Sequence, residues 1–175
     1  MAKDPRVVLE RLLKLPIFSG ISQGDLAELV ELVEVKELSE GDKLMEIGDV
    51  GTDVALVIEG SFTVELGEGS SVLPLAWVSA GEVLGETALF RRSATRTARV
   101  RAAQAATVMR FDAGILEELS NRGNGVPRAL EEAVMRTLAR RIHDSVEAID
   151  GVLGAHIDQP EKPGTLSRLR ELLRR

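Results

Sequence analysis

The sequence predicts a mixed α+β fold: an antiparallel β-roll, or jelly-roll sandwich, with helices before it and one long helix after it. Between residues 33 and 112, short alternating runs are separated by glycine turns, which is typical of such a roll. On both sides of this region, apolar residues recur at helical intervals. We expect a helical lead-in over 1–34, the β-roll over 35–112, C-terminal helices over 113–154, and a linker with a short basic amphipathic tail over 155–175.

Capping residues and turns place the individual elements. Asp4-Pro5 starts a helix over 5–15, and Ser22 caps a second helix over 23–33. A short helix over 113–121 ends at Gly123-Asn124-Gly125, and Pro127 opens a long helix over 127–153. The expected strands cover 33–38, 43–47, 53–59, 61–66, 73–79, 95–102 and 105–111.

The composition excludes several classes of function. The 175 residues carry a net charge of -6, which argues against nonspecific nucleic-acid binding. Without cysteine there is neither a disulfide nor thiolate chemistry, and two histidines are too few for a histidine-rich metal site. No apolar run approaches the roughly 18 residues of a membrane span, and the first residues do not resemble a signal peptide. We therefore expect a cytoplasmic protein.

Basic charge is concentrated in one segment of this acidic chain, with five arginines between residues 91 and 101. If 95–102 is a strand, Arg96 shares a face with Ala98, Val100 and Ala102. A guanidinium on such an apolar face is costly unless an anion meets it. The anion could be an aspartate brought there by the fold, or a bound phosphate, which suits the planar fork of arginine.

The preceding segment has the other features of a nucleotide site. Gly81 and Gly85 allow close backbone approach, and a helical turn over 87–90 would direct its N–H groups at an anion. Glu86 would repel a phosphate but could accept hydrogen bonds from sugar hydroxyls. A phosphate and a ribose on one small ligand describe a nucleotide.

These residues resemble a known family. Gly85-Glu86-x-Ala88-Leu89-Phe90 followed by Arg96-Thr97-Ala98-x-Val100 resembles the phosphate-binding cassette of cyclic nucleotide-binding domains. The spacing from Glu86 to Arg96 is similar to that of bacterial catabolite activators. The resemblance implies that Glu86 binds the ribose 2′-hydroxyl and Arg96 the cyclic phosphate, assisted by Thr97. Thr87 and Ala94 depart from the usual pattern.

The resemblance also implies further ligand contacts. The backbone amides from Gly85 through Thr87 to Ala88 would help hold the phosphate. Val64 and Leu75 stand where the family has its apolar wall around base and sugar, although plain core is the simpler interpretation of such lone residues. On the long helix, Arg141 and Ser145 match residues that reach the nucleotide, and the alternatives are a solvated face for Arg141 and a tolerated seam serine for Ser145.

The long helix carries two apolar stripes. One is an a/d seam that predicts a homodimer through 127–153, and the other is expected to pack on the roll. The seam consists of Met135, Leu138, Ile142, Ser145, Ile149 and Val152, and the second stripe of Leu130, Val134, Val146 and Leu153. The roughly 25 residues after Asp150 are too few for a winged helix. Within them, 165–175 form a basic amphipathic segment expected to dock on the acidic domain, a partner protein or an anionic membrane surface.

The functional hypothesis is a cAMP receptor, not an enzyme, that signals to an unidentified effector protein by rearranging its long helix. Because Thr97 also occurs in cGMP-preferring relatives, cGMP is the second candidate ligand. One alternative is a ligand-free dimerisation module of the same fold, in which Glu86 and Arg96 form an internal salt bridge. The other, a metal-dependent barrel enzyme, is opposed by the two histidines, which lie outside the expected strands.

Overall fold

The computed structural model describes residues 4–67, 72–86 and 94–157. By their internal contacts, the residues form two units, Met1–Thr137 and Leu138–Arg175. The first contains the N-terminal helices, the sheets and the beginning of the last helix, and in the second the described residues continue that helix.

The N-terminal helices begin at the capping residues that the sequence predicts. Helix α1 covers Pro5–Leu12, and the side chain of Asp4 accepts a hydrogen bond from the N–H of Arg6. Helix α1 ends before the predicted Leu15, and a 3-10 turn over Pro16–Phe18 follows. Helix α2 covers Gln23–Leu32, and Ser22 Oγ accepts from the N–H of Asp25 at 3.0 Å.

Ten short strands follow, and two further helices complete the described chain. The strands are β1 Glu34–Leu38, β2 Lys43–Met45, β3 Val50–Gly51, β4 Asp53–Glu59, β5 Ser61–Leu66, β6 Leu73–Ser79, β7 Val83–Leu84, β8 Ala94–Thr95, β9 Arg99–Ala102 and β10 Ala106–Asp112. The helices are α3 Ala113–Asn121 and α4 Val126–Ile157.

Two four-stranded antiparallel sheets enclose the core, with the orders β1-β10-β4-β7 and β2-β9-β5-β6. Strands β3 and β8 form a separate two-stranded ribbon. The buried core cluster draws side chains from both sheets, including Val57 and Val108 from the first and Phe62 and Val100 from the second. This arrangement confirms the predicted β-roll.

Strand β4 is buried on both faces, which explains its continuous apolar run. Ala55 and Val57 belong to the core cluster. Val54 and Leu56 alternate with them and are also fully buried, so they face the opposite side of the sheet. Helices supply the apolar cover there, and α1 contacts β4 directly.

The start of α4 is tied to α2 through Asn124. Its Nδ2 donates to the carbonyl of Asp25 and to Glu28 Oε2, each at 3.1 Å, and its Oδ1 accepts from Val126 N–H at 2.9 Å. The N–H of Gly125 also donates to Asp25 Oδ2 at 3.0 Å. These bonds fix where the last helix begins.

The structure departs from the sequence-based expectation in three places. The strand predicted over 95–102 is broken, because residues 96–98 leave the ladder between β8 and β9. The two-residue strands β3 and β7 have too little periodicity to be predicted. On α4, Leu130 and Val134 are buried as expected of the second stripe, but Val146 is 50% exposed, and the side chain of Leu153 lies outside the described residues.

Among the described residues, none of the helices has both the length and the apolar character needed to cross a bilayer.

Two leucine truncations test this assignment of inside and outside. Leu56→Ala should lower the free energy of unfolding by about 2–5 kcal/mol, because truncation of the fully buried Leu56 side chain leaves a cavity. The matched control is Leu73→Ala on β6, where the side chain is 59% exposed, and it should change that free energy by less than about 0.5 kcal/mol. Urea denaturation measures both, and equal losses would contradict the described packing.

Candidate functional site

The backbone of Arg96 is held by the turn between β2 and β3. In the pairing of β3 with β8, Val50 lies opposite Thr95, the last residue of β8, which brings the following residue, Arg96, beside this turn. The N–H of Arg96 donates to the carbonyl of Asp49 at 2.8 Å, and its carbonyl accepts from Gly48 N–H at 2.9 Å. Although Arg96 lies outside the ladder, both of its backbone groups are therefore hydrogen-bonded, because the turn replaces the missing strand partner.

The side chain of Arg96 is buried, with 7% of its surface exposed. Its Nη2 donates to the carbonyl oxygen of Asp53 at 2.7 Å and to Asp53 Oδ1 at 3.0 Å. Its Nη1 donates to the carbonyl of Gly85 at 3.5 Å. Arg96 is thus buried as predicted, although it lies between β8 and β9 and not within a strand, and of the two anions considered for it, the fold supplies the aspartate.

Two glycines form a slot for the guanidinium. A Cβ on Gly51 would lie 2.5 Å from Cζ of Arg96, and a Cβ on Gly85 would collide with Nη1 of the same side chain. Gly85 also has a φ of +76°, a conformation that residues with a Cβ rarely adopt. Met45 closes the slot, since the same Cβ on Gly85 would fall 2.9 Å from its Cε.

Asp53 is shared between two arginines. Its Oδ1 accepts from Arg96, and its Oδ2 accepts from Nε of Arg110 at 2.9 Å. Partial burial acts to raise the pKa of Asp53, but the hydrogen bond from Arg110 and the charges of both arginines outweigh it, so the pKa lies below its ordinary value. Arg110 in turn has Glu34 Oε2 at 3.4 Å from its Nη1.

Glu86 follows Gly85 directly and is also buried, with 8% exposed. Gly85 contacts the buried Arg96 side chain, and Glu86 is the next residue in the chain. The two predicted ligand-binding residues, Glu86 and Arg96, therefore lie in one region of the molecule. The ion pair recorded for Arg96 is nevertheless with Asp53, whereas the ligand-free alternative expected Glu86 in that place. Thr87 and Ala88, the next predicted contacts, lie outside the described residues.

A second carboxylate, Glu46, lies in the turn that bonds to the backbone of Arg96. Glu46 accepts from Lys43 Nζ at 2.7 Å and from Arg99 Nε at 2.8 Å. The hydrogen bond from Lys43, assisted by that from Arg99, lowers the pKa of Glu46 to about 2. Because Arg99 stands on β9, this pair ties the strand after Arg96 to the residues before β3.

The remaining predicted contacts differ in exposure. Thr97 is exposed beside Arg96, and Val64 is half-buried against the core cluster. Leu75 is 50% exposed and Trp77 on the same face of β6 is 65% exposed, so neither is plain core. Wall contacts by Val64 and Leu75 therefore stay predictions.

Arg141 and Ser145 lie on α4 in the second unit. Ser145 Oγ donates to the carbonyl of Arg141 at 2.7 Å, one turn earlier on the helix. Such a bond is common for an exposed helical serine. The contact of either residue with a nucleotide stays a prediction.

The arrangement is suited to binding a small anion. A buried guanidinium in a glycine slot is desolvated and oriented, so a phosphate that reaches it gains charge-assisted hydrogen bonds. Within the described ranges, no group of three or more histidine, aspartate or glutamate side chains could hold a metal ion. Fixed N–H donors such as those of Arg96 can recognise a charged ligand at this place.

Sequence reasoning missed three residues of this site: Gly51, Asp53 and Arg110. Asp53 stands 43 residues before Arg96 and 57 residues before Arg110, so no local pattern connects them. The one available signal was the position of Asp53 at the edge of an otherwise apolar strand.

Acidification should weaken the fold through Asp53. Because its pKa is lower in the folded chain than in the unfolded chain, its stabilising contribution is present above the ordinary value of about 3.9. It is lost as the pH falls through the lower, folded value. Asp53→Asn should therefore be less stable than the wild type at pH 6 and should lose less stability between pH 6 and pH 3. Urea denaturation at the two pH values measures this, and equal losses would contradict it.

The glycine slot makes a second prediction. Gly51→Ala should lower the free energy of unfolding by about 1–3 kcal/mol, because the new methyl group overlaps the Arg96 guanidinium. Gly24→Ala is the matched control: its Cβ would meet only Ser22 Oγ at 3.7 Å within helix α2, so stability should be unchanged or rise by up to about 1 kcal/mol. Thermal and urea unfolding compare the two, and a neutral Gly51→Ala would contradict the slot.

Solved structures share this fold. A cyclic nucleotide-binding domain from Methylobacillus flagellatus is 19% identical, with a TM-score of 0.65 and coverage of 83% of this chain and 82% of that one. The catabolite activator protein of Thermus thermophilus is 20% identical, with a TM-score of 0.61 and coverage of 78% and 62%. The regulatory domain of Toxoplasma gondii PKA, solved with cAMP, is 20% identical, with a TM-score of 0.56 and coverage of 73% and 48%. At these identities the likeness is one of fold.

Curated relatives are much longer proteins. Glutaminase 1 of Bradyrhizobium diazoefficiens is 33% identical over 133 residues, which is 76% of this chain and 20% of that protein. The chain spans 20% to 35% of the length of the curated relatives it matches. The shared region is thus a module that occurs within different larger proteins.

A family model adds the direct assignment. Residues 35–122, about half of the chain, match the model described as "Cyclic nucleotide-binding domain". The match covers both sheets, the buried Arg96 and helix α3. The chain therefore belongs to the family of cyclic nucleotide-binding domains, and its fold is of the catabolite activator type.

Proposed function

We propose that this domain is a cAMP receptor and regulatory module without enzymatic activity. The observation that carries the proposal is the buried Arg96 guanidinium in the slot between Gly51 and Gly85, with a buried Glu86 next to Gly85. A cyclic nucleotide has the two groups that such a pair would bind, one phosphate and one ribose hydroxyl. Arg96 binds the phosphate, and Glu86 accepts a hydrogen bond from the ribose.

The other contacts follow from the family resemblance. Thr97, which is exposed beside Arg96, assists at the phosphate, together with the amides from Gly85 to Ala88. The half-exposed Leu75 and half-buried Val64 supply an apolar wall. cAMP is preferred over cGMP because the spacing from Glu86 to Arg96 is that of the bacterial activators, and a structural relative binds cAMP.

Output would pass through helix α4. Three of its apolar residues, Met135, Ile142 and Ile149, are 58% to 66% exposed and recur at intervals of seven. A seam of this kind supports a homodimer of the helix with its copy. Arg141 and Ser145 would contact the base from this helix. Because ligand bound to both cassette and helix favours one helix position, binding shifts that equilibrium toward an effector protein.

One observation favours the second candidate, a ligand-free interaction module. Asp53 pairs with Arg96 within the chain, so the buried cation has an anion without any nucleotide. A domain that had lost its ligand would need such a pair to keep Arg96 buried. Thermal unfolding in the presence of nucleotides separates the two functions, because this module would not respond to nucleotides.

Thermal unfolding with 1 mM cAMP, cGMP or AMP tests the proposal. For a micromolar site near 100-fold saturation, cAMP should add about 2.7 kcal/mol of stability, which raises the Tm by several degrees. AMP should have no effect, since it lacks the cyclic phosphate. Arg96→Ala should lose about 2–5 kcal/mol of binding free energy.

The matched control is Arg122→Ala, because Arg122 pairs with Glu118 on its own helix α3 and should leave the cAMP response unchanged. A protein whose Tm does not respond to either cyclic nucleotide would contradict the receptor and favour the ligand-free module.

A further inference from the structure

We propose that Arg110 is a positioning residue for phosphate binding: it retains the Asp53 carboxylate when a ligand phosphate takes the place of that carboxylate on Arg96. The inference rests on the proposed function. It concerns Arg110 on β10, which no sequence motif connects with the cassette.

The first step concerns the donors of Arg96. A guanidinium offers two parallel N–H pairs for a bidentate contact, Nη1 with Nη2 and Nε with Nη2, because the third side carries the side-chain carbon. Both pairs include Nη2. In this structure Nη2 donates to two oxygens of Asp53, its carbonyl at 2.7 Å and its Oδ1 at 3.0 Å. A phosphate can therefore bind bidentately only if Nη2 releases an Asp53 oxygen.

The second step concerns which oxygen is released. The carbonyl of Asp53 belongs to the backbone of β4, whose residue Asp53 is also in register with Asp112 of β10, so it is fixed by the sheet. The carboxylate is carried by a side chain that can rotate, and it is also the group that repels a phosphate. Oδ1 is thus the atom that a phosphate displaces.

The third step concerns the displaced carboxylate. Asp53 is three-quarters buried, and a buried carboxylate without a cation is strongly unfavourable. Its Oδ2 already accepts from Nε of Arg110 at 2.9 Å, so the ion pair with Arg110 persists when Oδ1 leaves Arg96. Glu34 also faces Arg110, at a longer 3.4 Å, and yields more readily than the closer Asp53 contact. Arg110 therefore lowers the free-energy cost of freeing Arg96.

Two consequences have opposite signs. Without Arg110, Arg96 is the one cation that the described residues leave on Asp53, so a phosphate must displace a more tightly held carboxylate and affinity falls. With a neutral side chain at position 53, there is no carboxylate to displace or to repel the phosphate, so affinity rises. The effect of Arg110 should then disappear, because it acts through Asp53.

We call this transfer of the Asp53 carboxylate from Arg96 to Arg110 alone the handover. A double-mutant cycle tests it by calorimetric titration of the full chain with cAMP. Arg110→Gln should weaken binding about tenfold, equivalent to about 1.4 kcal/mol. Asp53→Asn should tighten it, and in that background Arg110→Gln should change the Kd by less than about twofold. Arg110→Lys should restore part of the affinity, since the ammonium also donates to Oδ2.

The control is Arg122→Gln. It removes the same charge at the residue that caps the C-terminus of α3, and it should leave the Kd unchanged. An equal loss from Arg110→Gln in both backgrounds would identify a long-range charge effect and overturn the handover, as would no loss at all. If Arg110→Gln does not fold, Arg110→Lys in the two backgrounds makes the same comparison, with a loss of about threefold expected only where Asp53 is present. Failure of the wild type to bind cAMP would instead overturn the proposed function, and the handover with it.

Discussion

The site depends on one constraint, that a buried guanidinium must have an anion. Arg96 is almost fully enclosed, and desolvation of its charge would be unfavourable without Asp53. The same requirement makes the place suitable for a phosphate, because the guanidinium is already stripped of water and oriented, so that a phosphate has to displace only the Asp53 carboxylate. Under the proposed function, structural stability and ligand recognition use the same group, and the internal carboxylate occupies the place of the ligand.

The rest of the fold keeps this group in place. Two antiparallel sheets share an apolar core, and the short ribbon of β3 and β8 at their edge carries Gly51 and Arg96. Because the turn between β2 and β3 bonds to both backbone groups of Arg96, the side chain can be placed without a continuous strand. Gly85 at the end of β7 supplies the opposite side of the slot. The irregular backbone here is a requirement of the site, not a defect of the sheet.

Regulation and binding make different demands on the chain. The described contacts around Arg96 connect β3, β4, β7, β8 and β10, all within the first unit. The exposed apolar residues of α4 take no part in these contacts. Occurrence of this module in much longer relatives agrees with a role in which the domain transmits a binding event to something else.

The sequence alone was sufficient for much of the local structure, and it singled out Glu86 and Arg96, which are both buried. Short strand-like runs between turn residues placed β4, β5 and β6 at their observed ends, the capping residues started α1 and α2, and the short helix over 113–121 was also correct. These features depend on neighbours within a few residues, so a single sequence contains them. The family resemblance of Glu86 and Arg96 likewise needs only their spacing.

Only the tertiary structure decided which anion meets Arg96, why Gly51 must be glycine, and that Arg110 shares Asp53. It also decided that Leu75 and Trp77 are exposed, because alternation assigns them to one face but cannot say what covers that face. Each of these facts depends on which strands are neighbours and in which register. Register is set by packing of the whole core. Asp53 therefore meets Arg96, 43 positions away, and Arg110, 57 positions away, without any trace in the local pattern.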